Sequence, residues 1–169
     1  MPAESSVGSR SSSPRQGPRV RIAPRPAWAD RFRSPTSAQL LAGIPAAMRP
    51  TATMTRERLR KYPQATESLA WLGTWQWTLQ FRTPTSNGVS WVYLIPNPQR
   101  PQVCIPVHDT TLAAVAPKLL SRSIRETLLF APTVDGVRWA TWDVQSRTQM
   151  EALLAFAEAC ATAHTPHQK

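Results

Sequence analysis

The clearest pattern in the chain is an alternation of apolar and polar residues between Thr74 and Phe81. Every odd-numbered position in this stretch is large and apolar, whereas every even-numbered position is Thr or Gln. Because successive side chains of a β-strand point to opposite faces, this period is typical of a strand with one buried face. The pattern predicts that Trp75, Trp77 and Leu79 point to a common side of a sheet and form part of the core.

Three further segments have strand character. They are Val89–Ile95, Gln102–Val107 and Val137–Val144. The turn-forming pair Asn87-Gly88 predicts a hairpin between the alternating strand that ends at Phe81 and the strand Val89–Ile95. Asp135-Gly136 predicts a turn before the last strand. Pro106 cannot donate a hydrogen bond to a neighbouring strand, so its presence predicts that the third strand lies at a sheet edge or contains a bulge.

Helical patterns occupy the intervals between these strands. The predicted helical segments are Thr55–Tyr62, short turns over Ala65–Leu72, Thr111–Ala116, Ser121–Phe130 and a final helix that begins after Ser146. Leu120, Ile124 and Leu128 recur at four-residue spacing, and Ser146 to Gln149 matches a capping box. Because the first three strands are joined by connections too short for crossovers, we expect an α+β fold with a mainly antiparallel four-stranded sheet and helices packed on one face.

Residues 1–53 differ in composition from the remainder and are dominated by Ser, Pro, Arg and Ala. Proline removes backbone donors, and the scattered apolar residues bury too little surface to offset an ordering entropy of about 1–2 kcal/mol per residue. We therefore predict a disordered leader over residues 1–53 and one small domain over residues 54–169. A weak helical pattern at Ser37–Ala42 is the exception within the leader.

The leader admits three interpretations. Its arginines could bind nucleic-acid phosphates, because the guanidinium group matches them geometrically. Its Arg- and Ser-rich, acid-poor composition also fits an organelle transit peptide. The third interpretation, which we favour, is a solvated tail or an untranslated stretch with Met48 or Met54 as the true start.

The positive charge of the chain is concentrated in this leader. Of a net charge of +10, residues 1–53 carry +6, from eight arginines against two acids, and residues 54–169 carry the remaining +4. No apolar run is long enough to span a bilayer, so we expect no membrane association. Two cysteines are too few for a disulfide framework, which favours a cytoplasmic location. The sequence sets no oligomeric state.

The stretch between Trp77 and Ala159 resembles a family of small bacterial proteins of unknown function. The matching features are Trp77–Arg82, Tyr93–Pro96, Leu120–Arg125 and the run from Gly136 to Val144. More remotely, the element order is similar to that of YdhG- and YjbR-like proteins. That resemblance implies a frataxin-like α+β sandwich, and it carries over no catalytic motif.

Candidate catalytic and metal-binding residues are few. His108 is adjacent to Asp109, but neighbours on a strand point to opposite faces and form no preassembled dyad. Cys104 and His108, four apart on a strand, lie about 13 Å from each other, too far to share a zinc ion. Cys160 and His164 supply only two ligands. We therefore predict no metal and no cofactor, and the sequence favours a non-enzymatic function, with an enzyme that uses His108 as the remaining alternative.

The remaining candidate is an aromatic-lined pocket or sheet face with nearby cations. Six of the seven tryptophans lie within residues 54–169. The residues that we assign to a ligand site are Trp91, Arg82, Arg138, Trp142 and His108. Trp142 lies opposite Trp139 in strand alternation, so we predict that it lies outside the main core. This predicts a module that binds a small ligand or a protein through an aromatic sheet face or groove, with nucleic-acid association through the leader as the alternative.

Overall fold

One antiparallel sheet of six strands organises the chain, which is described here from a computed structural model covering residues 25–84, 86 and 89–163. The strands are β1 Thr66–Trp71, β2 Trp77–Arg82, β3 Val92–Ile95, β4 Gln102–His108, β5 Thr133–Val134 and β6 Val137–Asp143. Their order across the sheet is β1-β2-β3-β4-β6-β5, and every neighbouring pair is antiparallel. The helices within the described residues are α1 Ser37–Ala42, α2 Arg49–Lys61, α3 Asp109–Ala114, α4 Arg122–Phe130 and α5 Arg147–Ala163.

The α+β class and the antiparallel sheet confirm the prediction, but the sheet has six strands and not four. Strand β1 replaces the helical turns predicted over residues 65–72. It pairs with β2 along its whole length, from Thr66 opposite Arg82 to Trp71 opposite Trp77. A helical propensity confined to a few residues is weak, and pairing with a neighbouring strand outweighs it. Strand β5 is short and joins β6 through the predicted turn at Asp135 and Gly136, both at positive φ.

The main core lies under one face of the sheet. A row of apolar side chains crosses five strands in register, each residue opposite the next: Leu69, Leu79, Leu94, Val103 and Trp142. All but Leu69 are buried, and Leu69 packs against the same cluster. Helix α5 covers this row with Met150, Leu153, Leu154, Phe156 and Ala157. Burial of each large apolar side chain stabilises the fold by about 1.5–3 kcal/mol.

Residues 36–53 belong to this core, which corrects the boundary that we predicted after residue 53. Thr36 and Gln39 form a reciprocal capping box at the start of α1. Leu40 and Ile44 are 1% and 0% exposed, and Ala52 of α2 is also fully buried. The average composition of the leader concealed this short apolar group, which the sheet and α2 bury. Residues 1–24, for which disorder was also predicted, lie outside the described residues.

An ion pair ties α2 to the edge strand. Arg56 of α2 donates two hydrogen bonds of 2.9 Å to the carboxylate of Glu67 on β1. Ser37 of α1 donates to the same carboxylate at 2.8 Å. These contacts hold the N-terminal helices against the strand that sequence patterning missed.

Strand β4 is central, which contradicts the edge position predicted from Pro106. It lies between β3 and β6. Pairing with β3 extends only to Cys104, whereas pairing with β6 continues to His108. Pro106 therefore lies beyond the part of β4 that pairs with β3, where its missing backbone donor interrupts no hydrogen bond between these two strands.

None of the helices in the described ranges is long and apolar enough to cross a membrane.

Ile44→Ala tests whether the segment before residue 54 is part of the folded core. We expect a loss of about 2–5 kcal/mol in the free energy of unfolding, because the substitution leaves a cavity beneath the sheet. Leu129→Ala is the matched control, since Leu129 is 70% exposed; we expect it to change stability by less than about 0.5 kcal/mol. Urea denaturation of the full chain measures both. Similar values for the two variants would contradict the assignment of Ile44 to the core.

Candidate functional site

Three aromatic rings pack together on the sheet face that lies opposite the main core. Trp75, Tyr93 and Trp139 form a triangle with ring-centroid distances of 5.5 Å, 5.8 Å and 6.1 Å. Tyr93 alternates with buried core residues on β3, so its ring projects from the other face. Trp139 projects from β6 in the same way. The two indoles are half-buried, whereas the Tyr93 ring beneath them is only 6% exposed.

A tight turn places Trp75 on this face, contrary to the predicted alternation. Gly73 and Gln76 both adopt positive φ, at 52° and 55°. The turn is closed by hydrogen bonds of 2.9 Å from Trp75 N to Leu72 O and from Leu72 N to Gln76 O. This geometry interrupts the strand before Trp77, so Trp75 no longer shares a side with Leu79.

Trp77 lies on the same side of the sheet as Leu79, as predicted. It lies two residues from Leu79 on β2, its ring packs edge-on against Trp71 at 5.8 Å, and both rings are half-buried. Its indole N–H donates to the backbone carbonyl of Asp30 at 2.7 Å. This contact fixes the first described segment of the chain beside the β1–β2 turn.

An open groove of about 680 Å³ runs between the aromatic triangle and the C-terminal end of α4. We call it the aromatic groove, and its lining residues are Trp75, Glu126, Thr127, Phe130, Ala131, Pro132, Trp139 and Thr141. Phe130 is 82% exposed, and Leu129 and Val134 nearby in sequence are also exposed. A concentration of exposed apolar side chains is typical of an interaction site.

The aromatic groove carries little charge. Glu126 is its one ionisable lining residue, and its carboxylate accepts a hydrogen bond of 2.7 Å from Arg122 one turn earlier on α4. Within the described residues, the indole N–H groups of Trp75 and Trp139 have no hydrogen-bond acceptor and are not among the buried polar atoms. Both donors are therefore accessible to a ligand carbonyl.

The structure does not bring the five predicted ligand residues into one site. Trp142 is 4% exposed and packs against Phe156 of α5, so the prediction that it lies outside the main core is wrong. The register places Trp142 on the helix-covered face, and it is Trp139 that projects from the opposite face.

The two predicted arginines make local contacts. Arg138 pairs with Asp109 at 2.5 Å and donates to the Leu128 carbonyl at 3.4 Å. Arg82 donates to Ser90 Oγ at 3.3 Å and to Gln80 Oε1 at 3.4 Å. Neither arginine lines the aromatic groove.

Trp91 and His108 do share a cavity, but it is small. Its volume is about 60 Å³, and Cys160 and Ala161 of α5 contribute to its wall. A site for a small organic ligand usually occupies about 300–1,000 Å³, so this cavity has room for a few water molecules at most. The Trp91 ring is itself a core element: it lies 4.4 Å from Tyr62, and its N–H donates to the Ala157 carbonyl at 2.8 Å.

The described residues contain no cluster of three or more His, Cys, Asp or Glu side chains that could hold a metal ion. Asp109, the neighbour of His108, is engaged by Arg138. Burial raises the pKa of Cys104 to about 12, against a hydrogen bond from Thr141 that lowers it, and burial likewise raises the pKa of Cys160 to about 12. Both thiols are therefore protonated, unreactive core groups at neutral pH. The other predicted metal candidate, His164, lies outside the described residues.

Sequence reasoning missed Phe130 as a site residue. The buried residues of α4 are Ile124 and Leu128, whereas Leu129 and Phe130 are off that stripe. The sequence did contain a signal for this site, because two large apolar residues lie at the end of the helix and outside its buried face.

No protein-family model, curated protein or solved structure matches this chain. The resemblance to YdhG- and YjbR-like proteins therefore stays a prediction.

Trp91→Phe and Trp142→Phe remove similar ring volumes but different polar contacts. The first loses the hydrogen bond to Ala157, whereas the second removes a buried N–H that has no acceptor among the described residues. We expect Trp91→Phe to lower the free energy of unfolding by about 1–3 kcal/mol more than Trp142→Phe does. The first substitution leaves the Ala157 carbonyl without its donor, whereas the second removes an unpaired buried donor that is costly to retain. Chemical denaturation of both variants measures the difference, and an equal loss of stability would contradict the assigned hydrogen bonding.

Native Cys104 and Cys160 are expected to resist alkylation by iodoacetamide at pH 8. With a pKa of about 12, only about one thiol in ten thousand is ionised at this pH, and both groups are buried. Mass spectrometry of the native chain should show no adduct, whereas the chain in guanidinium should gain two. Rapid modification of the native protein would contradict the burial of these thiols.

Proposed function

We propose that this chain is a non-enzymatic interaction module that binds an extended, proline-containing peptide in the aromatic groove. The observation that carries the proposal is the pair of half-buried indoles, Trp75 and Trp139, beside the exposed ring of Phe130. The exposed parts of these rings form an apolar surface that is open to a ligand.

The shape of the groove favours a peptide over a small molecule. Small-ligand pockets usually enclose most of the ligand surface, but the aromatic groove is an open trough between α4 and the sheet. The cavity beside Trp91 is too small for most organic ligands, at about 60 Å³. A chain laid along the trough would contact the tryptophans and Phe130 together.

The chemistry of the groove favours proline. Proline-rich segments adopt a preformed polyproline helix and dock on aromatic surfaces with little loss of conformational entropy. Proline lacks a backbone donor but keeps its carbonyl acceptor, and the unpaired indole N–H groups of Trp75 and Trp139 are donors of the matching kind. Thr127 and Thr141 add hydroxyl groups to the wall.

The same lining disfavours nucleic acid as the occupant of the groove. Phosphate binding depends on Lys and Arg, whereas the ionisable residue in this wall is Glu126. Nucleic-acid association through the arginines of the leader is a separate hypothesis, and it makes no use of the groove.

A cytoplasmic location and a kinship with YdhG- and YjbR-like bacterial proteins belong to the same proposal. The first is supported by two unpaired, buried thiols. The second is supported by the motif residues between Trp77 and Ala159 and by the α+β architecture.

Binding of a fluorescein-labelled decaproline peptide tests the proposal. We expect Trp139→Ala and Phe130→Ser to weaken binding at least about tenfold, because aromatic anchors at the centre of an interface carry most of its free energy. Phe130 is exposed, so its substitution leaves the fold intact. Fluorescence anisotropy with the full chain measures the dissociation constants.

Trp71→Ala is the matched control for this experiment, because Trp71 is a half-buried tryptophan that lies outside the groove. We expect it to retain the affinity of the unsubstituted chain, and a Gly/Ser peptide of the same length should bind none of the chains. Equal losses in Trp71→Ala and Trp139→Ala, or unchanged binding by Phe130→Ser, would contradict the groove as the binding site.

A further inference from the structure

We propose that a peptide bound in the aromatic groove pairs with the free edge of β6 as a short added strand. The pairing groups on the protein are the backbone N–H and C=O groups of Thr141 and Asp143. This inference rests on the proposed function and deepens it, because it names the sequence pattern that the peptide must have. The pattern is an apolar residue with a free N–H that alternates with proline.

Two hydrogen bonds show which backbone groups of β6 face away from β4. Val144 N donates to Pro101 O at 2.8 Å, and this bond lies on the β4 side. Trp139 N donates to Pro132 O at 2.9 Å, and this bond lies on the β5 side. In an antiparallel sheet, the backbone groups of successive residues point alternately to the two neighbouring strands. The odd-numbered residues of β6 therefore direct their N–H and C=O groups to the β5 side.

Strand β5 does not reach the second half of β6. It pairs with the first two residues of β6, and beyond it Pro132 accepts a hydrogen bond from Trp139 but has no N–H to return. Within the described residues, no backbone hydrogen bond reaches Thr141 or Asp143 on this side. Two donors and two acceptors are therefore left at the edge, and such a row is a template for an additional strand.

The aromatic groove passes along this edge. Trp139 and Thr141 line it from the sheet face opposite the main core, whereas Phe130 and its neighbours line it from α4. Helix α4 packs on the core face, where its buried residues join the main core. A space that contacts both faces has to pass the edge of the sheet. Because Thr141 is one of its lining residues, the groove passes β6 beyond the end of β5.

Pairing with this edge sets the pattern of the peptide. A peptide residue opposite Thr141 accepts a hydrogen bond from the Thr141 N–H and donates its own N–H to the Thr141 carbonyl, and the residue two positions away pairs with Asp143. The residue between them directs its backbone groups away from β6, so proline at this position loses no hydrogen bond. Its ring lies on the α4 side, where Phe130 is 82% exposed.

The charges beside the edge favour uncharged side chains in the peptide. Arg122 donates to the Glu126 carboxylate at 2.7 Å. Arg100 donates to the Asp143 carboxylate at 2.7 Å and 2.9 Å. A charged peptide residue would lose water of hydration and compete with these pairs. Valine and proline therefore suit the site.

The length of the edge favours a single extended chain over a second folded copy. A stable interface between folded proteins usually buries about 1,200–2,000 Å². Pairing along two residues supplies only a small part of that area. A single chain can instead enter the trough and combine the edge pairing with contacts to the aromatic rings.

Two labelled peptides test the pairing with the full chain. One has five Val-Pro repeats, and in the other each valine is replaced by its α-hydroxy acid. The second peptide keeps every side chain and exchanges each N–H donor for an ester oxygen. We expect it to bind about tenfold more weakly or worse, because the carbonyls of Thr141 and Asp143 lose their donors. Fluorescence anisotropy measures both dissociation constants.

Amide hydrogen exchange of the full chain locates the added strand. At saturating Val-Pro peptide, we expect the amides of Thr141 and Asp143 to exchange at least about tenfold more slowly than in the free chain. The amides of Ala140 and Trp142 are internal controls. They point to β4 and should be protected with or without peptide.

The outcomes separate this inference from the proposed function. Equal affinity for the two peptides, with no added protection of Thr141, would overturn the inference and leave the groove as a site that binds through its rings. Protection of Thr141 in the free chain that grows with protein concentration would assign the edge to a second copy and overturn the peptide as its partner. Failure of both the Val-Pro peptide and decaproline to bind would contradict the proposed function, and the inference with it.

Discussion

The register of the antiparallel sheet is the constraint on which the rest of the molecule depends. Pairing of Val103 with Trp142 places the latter indole under α5, and the alternation of β6 then directs Trp139 to the opposite face. A shift of the β6 register by one residue would move Trp142 to the outer face and Trp139 to the core face. It would also place polar or charged neighbours of β6 in the core. The same pairing therefore builds the main core and positions one wall of the aromatic groove.

Much of the fold follows from local patterns, because the relevant information lies within a few residues. Alternation at Trp77 to Phe81 and the stripe on the final helix identify β2 and α5 without knowledge of their partners. Strand β1 could not be identified in this way, since its conformation depends on pairing with β2 across the Leu72–Gln76 turn. The burial of Ile44 was likewise set by the sheet and not by its proline-rich surroundings.

The candidate site was less accessible to sequence reasoning than the fold. Alternation correctly separated Trp139 from Trp142, but it could not decide which of the two faces the helices would cover. The position of Trp75 depends on the positive φ of Gln76, a conformation that a non-glycine residue seldom adopts. No local sequence pattern predicted it. The predicted ligand residues Arg82 and Arg138 form hydrogen bonds with neighbouring side chains of the fold. Their closeness in sequence to tryptophans therefore did not indicate a ligand site.

The aromatic groove reflects how unequally the two faces of the sheet are covered. Tyr93 and Trp139 cover part of β3 and β6 on the second face, but the helices of the described residues pack mainly on the first, and the outer indoles stay half exposed. Leaving such rings in water has a free-energy cost of about 25 cal/mol for each Å² of apolar surface. The proposed peptide ligand would reduce that cost by covering the rings, and it needs no additional helix to do so. A polyproline segment has little conformational freedom to lose on docking, which favours it over a flexible chain as the occupant of the groove.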